Sequence, residues 1–211
     1  MRCFVPLLAA GVCACGADEA LTRVNHPGPL DETFAVSSFF TPSGYMGDGE
    51  NLGLLNGKVN EGCKARPTGA QGDCYVFEYR VGALGWAGVY WVYPANNWGS
   101  RPGRKVQGAG FKNVRLKAAV DPPGTTVNFV VGGIADPLLP HRDRVSATTS
   151  VKLSKDWTDV ELDIAGQDFS EVIGALAWSM AYPTALGDRG VARVYLDDVV
   201  WDINASKVAA P

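Results

Sequence analysis

The sequence predicts an all-β protein, a two-sheet antiparallel β-sandwich of the jelly-roll kind. Two patterns carry that reading. Apolar and polar residues alternate with a period of two in many short runs, and a 3.6-residue helical period is scarce. Between the runs stand turn formers: Asp121-Pro-Pro-Gly124, Gly132-Gly133, Pro183 and Gly187-Asp-Arg-Gly190. Many short strands punctuated in this way fold as packed sheets rather than as helical layers.

Taken in order, residues 1–14 form a lipoprotein-type signal peptide. Arg2 supplies the positive end, Phe4 to Val12 an apolar stretch too short to span a bilayer, and small residues follow. Val12-Cys13-Ala14-Cys15 resembles a lipobox, with Cys15 as the acylated residue, because Cys13 has the bulky Val12 directly before it. Export to a bacterial cell envelope follows, with a lipid anchor as the sole tie to the membrane; ordinary cleavage nearby without lipid is the alternative. Residues 15–29 are a polar tether with Pro27 and Pro29, residues 30–204 the sandwich, and residues 205–211 a tail.

Within the sandwich, Tyr75 to Val81 sets Tyr75, Phe77, Tyr79 and Val81 on one face. Val114 to Val120 sets Val114, Leu116, Ala118 and Val120 opposite Arg115 and Lys117. Val127–Val131, Val160–Ile164, Val172–Met180 and Val191–Asp202 continue the pattern. Residues 39–48 read as a loop able to cover the sheet.

With 211 residues, 46% of them hydrophobic, the chain can bury one substantial core, and its formal charge is −3. No basic run is long enough to neutralise a row of phosphates, so nucleic acid is excluded as a partner. Of five cysteines, Cys3 and Cys13 leave with the signal and Cys15 is acylated. Cys63 and Cys74 remain and pair as a disulfide in an oxidising compartment. With the two distant histidines they make no zinc site.

Four phrases carry a family resemblance: Phe39 to Gly49, Gly85 to Gly99 (GWAGVYWVYPANNWG), Asp156 to Ile164, and above all Val194 to Trp201 (VYLDDVVW). In this order they resemble the jelly-roll, galactose-binding-like carbohydrate-binding modules attached to polysaccharide-degrading enzymes. The resemblance spans about residues 34 to 203. It implies a monomer that binds polysaccharide without catalysis, and the acidic charge balance favours a neutral plant or microbial glycan. Cell-surface protein interaction or adhesion is the alternative that the same fold allows.

The candidate binding residues come from the aromatic stretch. In a strand Val89, Trp91 and Tyr93 point to one side, Tyr90 and Val92 to the other, so neither side is polar. Sugar rings have apolar C–H faces and hydroxyl edges. Trp86, Tyr90, Trp91, Tyr93 and Trp98 offer flat surfaces for the former, and Asn96 and Asn97 offer amides for the latter. Trp91 and Tyr93 fit the core equally well. Trp178 lies in a second strand apolar on both faces, where Ala175, Ala177 and Ser179 either floor a groove or pack beneath a loop.

The resemblance also implies a structural calcium held by an acid of the last strand. Asp198, which regular alternation places beside Leu196 and Val200, is the first ligand named. Asp48 and Glu50 supply further oxygens. The alternative is carboxylates hydrogen-bonded to backbone amides. Glu161 and Asp163 share a strand face, as glycoside hydrolysis on a sandwich requires. The third acid of the glucanase phrase is replaced by Gly166, however, and the pair reads as a solvated face. His141, Arg142, Asp143 and Arg144 imitate a polysaccharide lyase site but read as a surface loop. Neither a Gly-x-Ser-x-Gly nor a His-Glu-x-x-His phrase is present.

Overall fold

A computed structural model describes residues 30, 32–106 and 110–203. The signal, the acylated Cys15, the tether and the tail expected from the sequence lie outside those residues. Eleven strands, β1 (Phe34–Ala35), β2 (Thr41–Gly47), β3 (Leu52–Leu54), β4 (Tyr75–Tyr79), β5 (Trp86–Val92), β6 (Asn113–Asp121), β7 (Thr126–Gly132), β8 (Ser146–Lys152), β9 (Thr158–Asp163), β10 (Gly174–Ala181) and β11 (Ala192–Asp202), form two antiparallel sheets. One runs β3-β4-β11-β6-β9, with β1 pairing β11, and the other runs β2-β5-β10-β7-β8. The expected two-sheet sandwich is the observed fold.

The alternation read from the sequence fills the space between the sheets. Tyr75, Phe77 and Tyr79 of β4, Val114 to Val120 of β6 in alternate positions, and Val160 and Leu162 of β9 all enter one hydrophobic core. The five-stranded sheet answers with Ala87, Val89 and Trp91 of β5, Trp178 and Met180 of β10, and Val127, Phe129 and Val131 of β7. Trp91 stands edge-on to Tyr75 and Phe77, with centroids 5.0 and 5.7 Å away. A second aromatic knot ties β1 to β11: Phe34 stacks on Trp201 at 5.8 Å, Phe111 stands edge-on to both, and Phe169 edge-on to Trp201 and Phe111. The Cys63–Cys74 disulfide is formed, with Cα atoms 6.4 Å apart.

Three expectations are corrected. Residues 39–48 are not a covering loop; most of them form edge strand β2, paired with β5. Ser146–Lys152, too polar to read as a strand, is the opposite edge, where only one ladder and one face need partners. The third correction concerns β11. Ala192, Val194 and Leu196 face the core, and so do Val199 and Trp201, because a bulge breaks the register between Asp197 and Val200. The extra residue shifts parity by one, with Asp198 in the left-handed region at φ +51°. Aspartate is among the few non-glycine residues that tolerate that conformation. Asp198 therefore does not share an inward face with Leu196.

Candidate functional site

Because the core takes every second residue of β5, β7 and β10, the intervening residues face away from the other sheet. On the five-stranded sheet part of this outward face is apolar. Tyr90 and Val92 of β5 and Ala177 of β10 join Ile134 and Ile173 in a second, separate hydrophobic cluster, flanked by Met46 of β2 and Val130 of β7. Small residues keep the middle of this face low. A side chain at Gly88 would meet Met46 Cε and Ser179 Cβ at 2.9 Å each and the Trp178 carbonyl at 2.4 Å. Beyond Ala177 and Val130 the face turns polar, with Ser179 and Asn128 side by side and Ser150 donating to Asn128 Oδ1 at 2.6 Å.

Two tryptophans bracket the face. Trp86, at the start of β5 and opposite Ala181, is 40% exposed. Trp98, 39% exposed, sits at the other end in the loop after β5, edge-on to Tyr90. Four residues of extended chain separate Trp86 from Tyr90, about 13 Å. Tyr90 donates to the Gly132 carbonyl at 3.1 Å, and burial pushes its phenol up to about 12, so it is a neutral donor and an apolar ring.

Asn97 makes the Trp98 loop rigid. It is fully buried; Nδ2 donates to the carbonyls of Tyr93 and Arg101, and Oδ1 accepts from the N–H groups of Gly99 and Arg101. All its polar capacity is spent inside the loop. Asn96 is exposed, its N–H bonded to Ser43 Oγ at 2.9 Å.

The sequence-predicted set therefore divides. Trp86, Tyr90 and Trp98 are brought to one face, with Asn96 at its rim. Trp91 and Trp178 are fully buried between the sheets, so neither reaches a ligand. Tyr93 turns to Phe40 and lies beneath the Arg104 guanidinium, 5.5 Å from its ring centroid. Of the expected groove floor, Ala177 and Ser179 face outward, and Ala175 belongs to the core. Sequence reasoning missed Gly44, Met46, Gly88, Ile134 and Ile173. Ile134 stands in a loop with no periodic signal, Ile173 reads only as part of the Val172–Met180 strand, and a glycine's role shows only once its neighbours are placed.

The carboxylates expected to hold calcium are not gathered at one point, and no group of three or more His, Cys, Asp or Glu suited to a metal occurs among the described residues. Asp48 accepts from Tyr79 Oη and from the N–H groups of Gly82, Leu84 and Gly85, at 2.7–3.0 Å. Burial alone would push its carboxyl up, but these four bonds together hold it below the usual carboxylate range. Asp198 pairs with Arg115 and accepts from the Gln71 N–H, and Asp197 takes a two-pronged contact from Arg66. Glu50 is exposed. The buried carboxylates of Asp48, Asp197 and Asp198 thus have arginine, hydroxyl and backbone amide partners.

Beside the Trp98 end, the loop of residues 133–145 is pinned to the start of β10. The buried Asp143 carboxylate accepts from the N–H groups of Ile134, Ile173 and Gly174. Burial drives this carboxyl up to about 6 against the pull of those bonds, with the Glu171 charge adding to the rise. His141 Nδ1 meets Glu171 Oε1 at 2.8 Å. Glu161 and Asp163 lie on β9 of the other sheet.

No protein-family model matches the chain, and no curated protein matches it. Solved structures similar in fold include a family 11 carbohydrate-binding module of cellulosomal cellulase Lic26A-Cel5E of Clostridium thermocellum (10% identity, 87% of this chain and 100% of that one, TM-score 0.45). A family 30 carbohydrate-binding module is similar at 11% identity, over 86% of this chain and 89% of that one, with TM-score 0.44. The CBM22-1 xylan-binding domain from Paenibacillus barcinonensis Xyn10C is similar at 10% identity, over 85% and 100%, with TM-score 0.41.

Proposed function

We propose that this protein binds polysaccharide without altering it, through the outward face of its five-stranded sheet. One observation carries the reading: a hydrophobic cluster distinct from the core lies on that face, bracketed by the half-exposed indoles of Trp86 and Trp98. An apolar surface with aromatic planes at both ends and a hydroxyl and amide flank fits a chain of sugar rings, whose C–H faces stack while their edges hydrogen-bond. The length between Trp86 and Tyr90 suits several consecutive sugars of a neutral main chain.

Absence of catalysis is part of this reading. Two carboxylates flanking a scissile bond are the usual requirement for glycoside hydrolysis, and Glu161 and Asp163 belong to the sheet remote from the face. Asp143, beside the Trp98 end, is committed to three backbone N–H groups. Export as a monomer anchored by lipid at Cys15 belongs to the same reading, and the Cys63–Cys74 disulfide supports passage through an oxidising compartment.

Affinity gel electrophoresis of the full chain through β-glucans, xylans and mannans tests the proposal. Retardation by at least one glycan, weakened in Trp86→Ala and Trp98→Ala, is the expected result. Migration unchanged by every glycan overturns it.

A further inference from the structure

The two sheets divide the charge unequally. The strands of the five-stranded sheet contain no Asp or Glu, and their one charged residue is Lys152. Every carboxylate borne by a strand belongs to the other sheet, Glu78, Asp159, Glu161 and Asp197 among them. A net charge of −3 therefore describes the molecule and not this face. On its rim the loop of residues 133–145 carries Asp136, which accepts from the Leu138 N–H, the buried Asp143, and two exposed cations, Arg142 and Arg144, which line a recess of about 350 Å3 with Pro140, Asp143 and Glu171.

Position links this recess to the aromatic face. Gly174 is the hinge: a Cβ there would stand 3.0 Å from the Tyr90 ring on one side and 3.4 Å from the Asp143 carboxylate on the other. The same loop touches the Trp98 loop, where the His141 N–H donates to the Gly99 carbonyl at 3.1 Å. The recess thus begins where the Tyr90–Trp98 pair ends.

Its carboxylates are already engaged. Asp143 accepts three backbone N–H groups, and Glu171 holds His141 and the Gly103 N–H. Asp168 is held below the usual carboxylate range chiefly by the Ser170 hydroxyl and N–H, with the Arg144 charge a minor addition, and no carboxylate pairs with Arg142 among the described residues. A planar, always-charged guanidinium beside a sugar-binding surface matches a carboxylate in two-pronged fashion, and an unsubstituted neutral sugar does not use that charge.

We infer that the recess beside Trp98 receives a uronic acid side group of the glycan, its carboxylate held by Arg142 with Arg144 adding charge, while the neutral main chain lies across Tyr90 and the two tryptophans. This rests on the proposed polysaccharide binding and adds the class of substituent. The surface exposure of both arginines sets the scale: about three- to tenfold in affinity at low salt, shrinking as ionic strength shortens the screening length.

Matched polymers supply the test. Glucuronoxylan and xanthan, each compared with its carboxyl-reduced form, present the same main chain with and without the acid. The full chain is expected to bind at least one native polymer three- to tenfold more tightly than its reduced form at 20 mM salt, with the gap closing at 0.5 M. Arg142→Gln/Arg144→Gln, with its melting curve checked, is expected to bind the two forms alike. Equal affinity of the unmutated chain for native and reduced forms overturns the inference, as does a preference that survives the double substitution. Binding to neutral glycans with no retardation by either native polymer also overturns it while leaving the main proposal standing. If neutral and acidic polymers alike fail to bind, the main proposal falls with it.

Discussion

The Trp98 indole stands edge-on to the Tyr90 ring, centroids 5.6 Å apart and planes at 80°, in space left open by Gly44. A Cβ at Gly44 would lie 2.8 Å from Tyr90 Cβ and 3.0 Å from Trp98 Cζ2, so any larger residue must displace the indole. Trp98→Ala is expected to weaken glycan binding about tenfold or more, the scale of a tryptophan anchor. Gly44→Val should weaken it severalfold with the indole still present. Affinity electrophoresis or calorimetry checks both, and an unaltered Gly44→Val would detach the indole's placement from binding.

Asp48 gathers the loop after β4 by accepting from Tyr79 Oη and three N–H groups. Asp48→Ala leaves these donors unpaired and is expected to lower Tm by roughly 5–10 °C. Its folded carboxyl titrates below the ordinary value, so its contribution is whole above the unfolded pKa and is lost as pH falls through the folded one. Melting curves below pH 4 should fall more steeply for the parent chain than for the variant. Since its four bonds come from protein donors, chelator should leave the parent's Tm unmoved.

Asp143 acts with the opposite sign. Its folded pKa, near 6, lies above the unfolded carboxylate value, so the folded chain binds the proton more tightly. Stability is therefore expected to decline as pH rises from about 4 to 6, by at most on the order of 3 kcal/mol, and then to level. Asp143→Asn should flatten that segment of a urea-denaturation series, whatever its offset at neutral pH. An equal slope in both proteins would assign the titration to another group.

Arg66 binds Asp197 at 2.6 and 2.8 Å and the Gly72 carbonyl at 2.9 Å, fastening the disulfide loop onto β11. Arg66→Ala strands a fully buried carboxylate and should cost about 3 kcal/mol. Reducing Cys63–Cys74 should cost a further 2–3 kcal/mol or so through the freed loop. Denaturant midpoints with and without reductant separate the two.

The sandwich was legible wherever a strand has one wet face. Val114–Val120 and Val160–Ile164 alternate in sequence as they do in space. Ser146–Lys152 hid because its inward face has only Ala147 and Val151 around a threonine and its outward face is Ser, Thr, Ser and Lys, a weak alternation that an edge strand allows. Trp86, Trp91 and Trp98 look alike in a sequence; burial separates them, and burial depends on a second sheet far along the chain. The facing expected of Asp198 changed at one inserted residue, since period-two counting cannot foresee a bulge. The segregation of acids to one sheet was written in the strands but became visible only when pairing sorted them.

The bulge at Asp197–Asp198 makes the last strand sensitive to arithmetic rather than to chemistry. A different side chain at position 198 disturbs an ion pair and a strained backbone angle. Deleting that surplus residue would let Val199 fall opposite Leu116, between the Asp197–Lys117 and Val200–Arg115 pairs, and would keep Val199 and Trp201 in the core. Deleting Val200, beyond the bulge, would instead turn Trp201 outward and away from Phe34, Phe111 and Phe169. Within these few residues the fold is encoded by a count, and a one-residue frameslip would undo what almost any single exchange leaves standing.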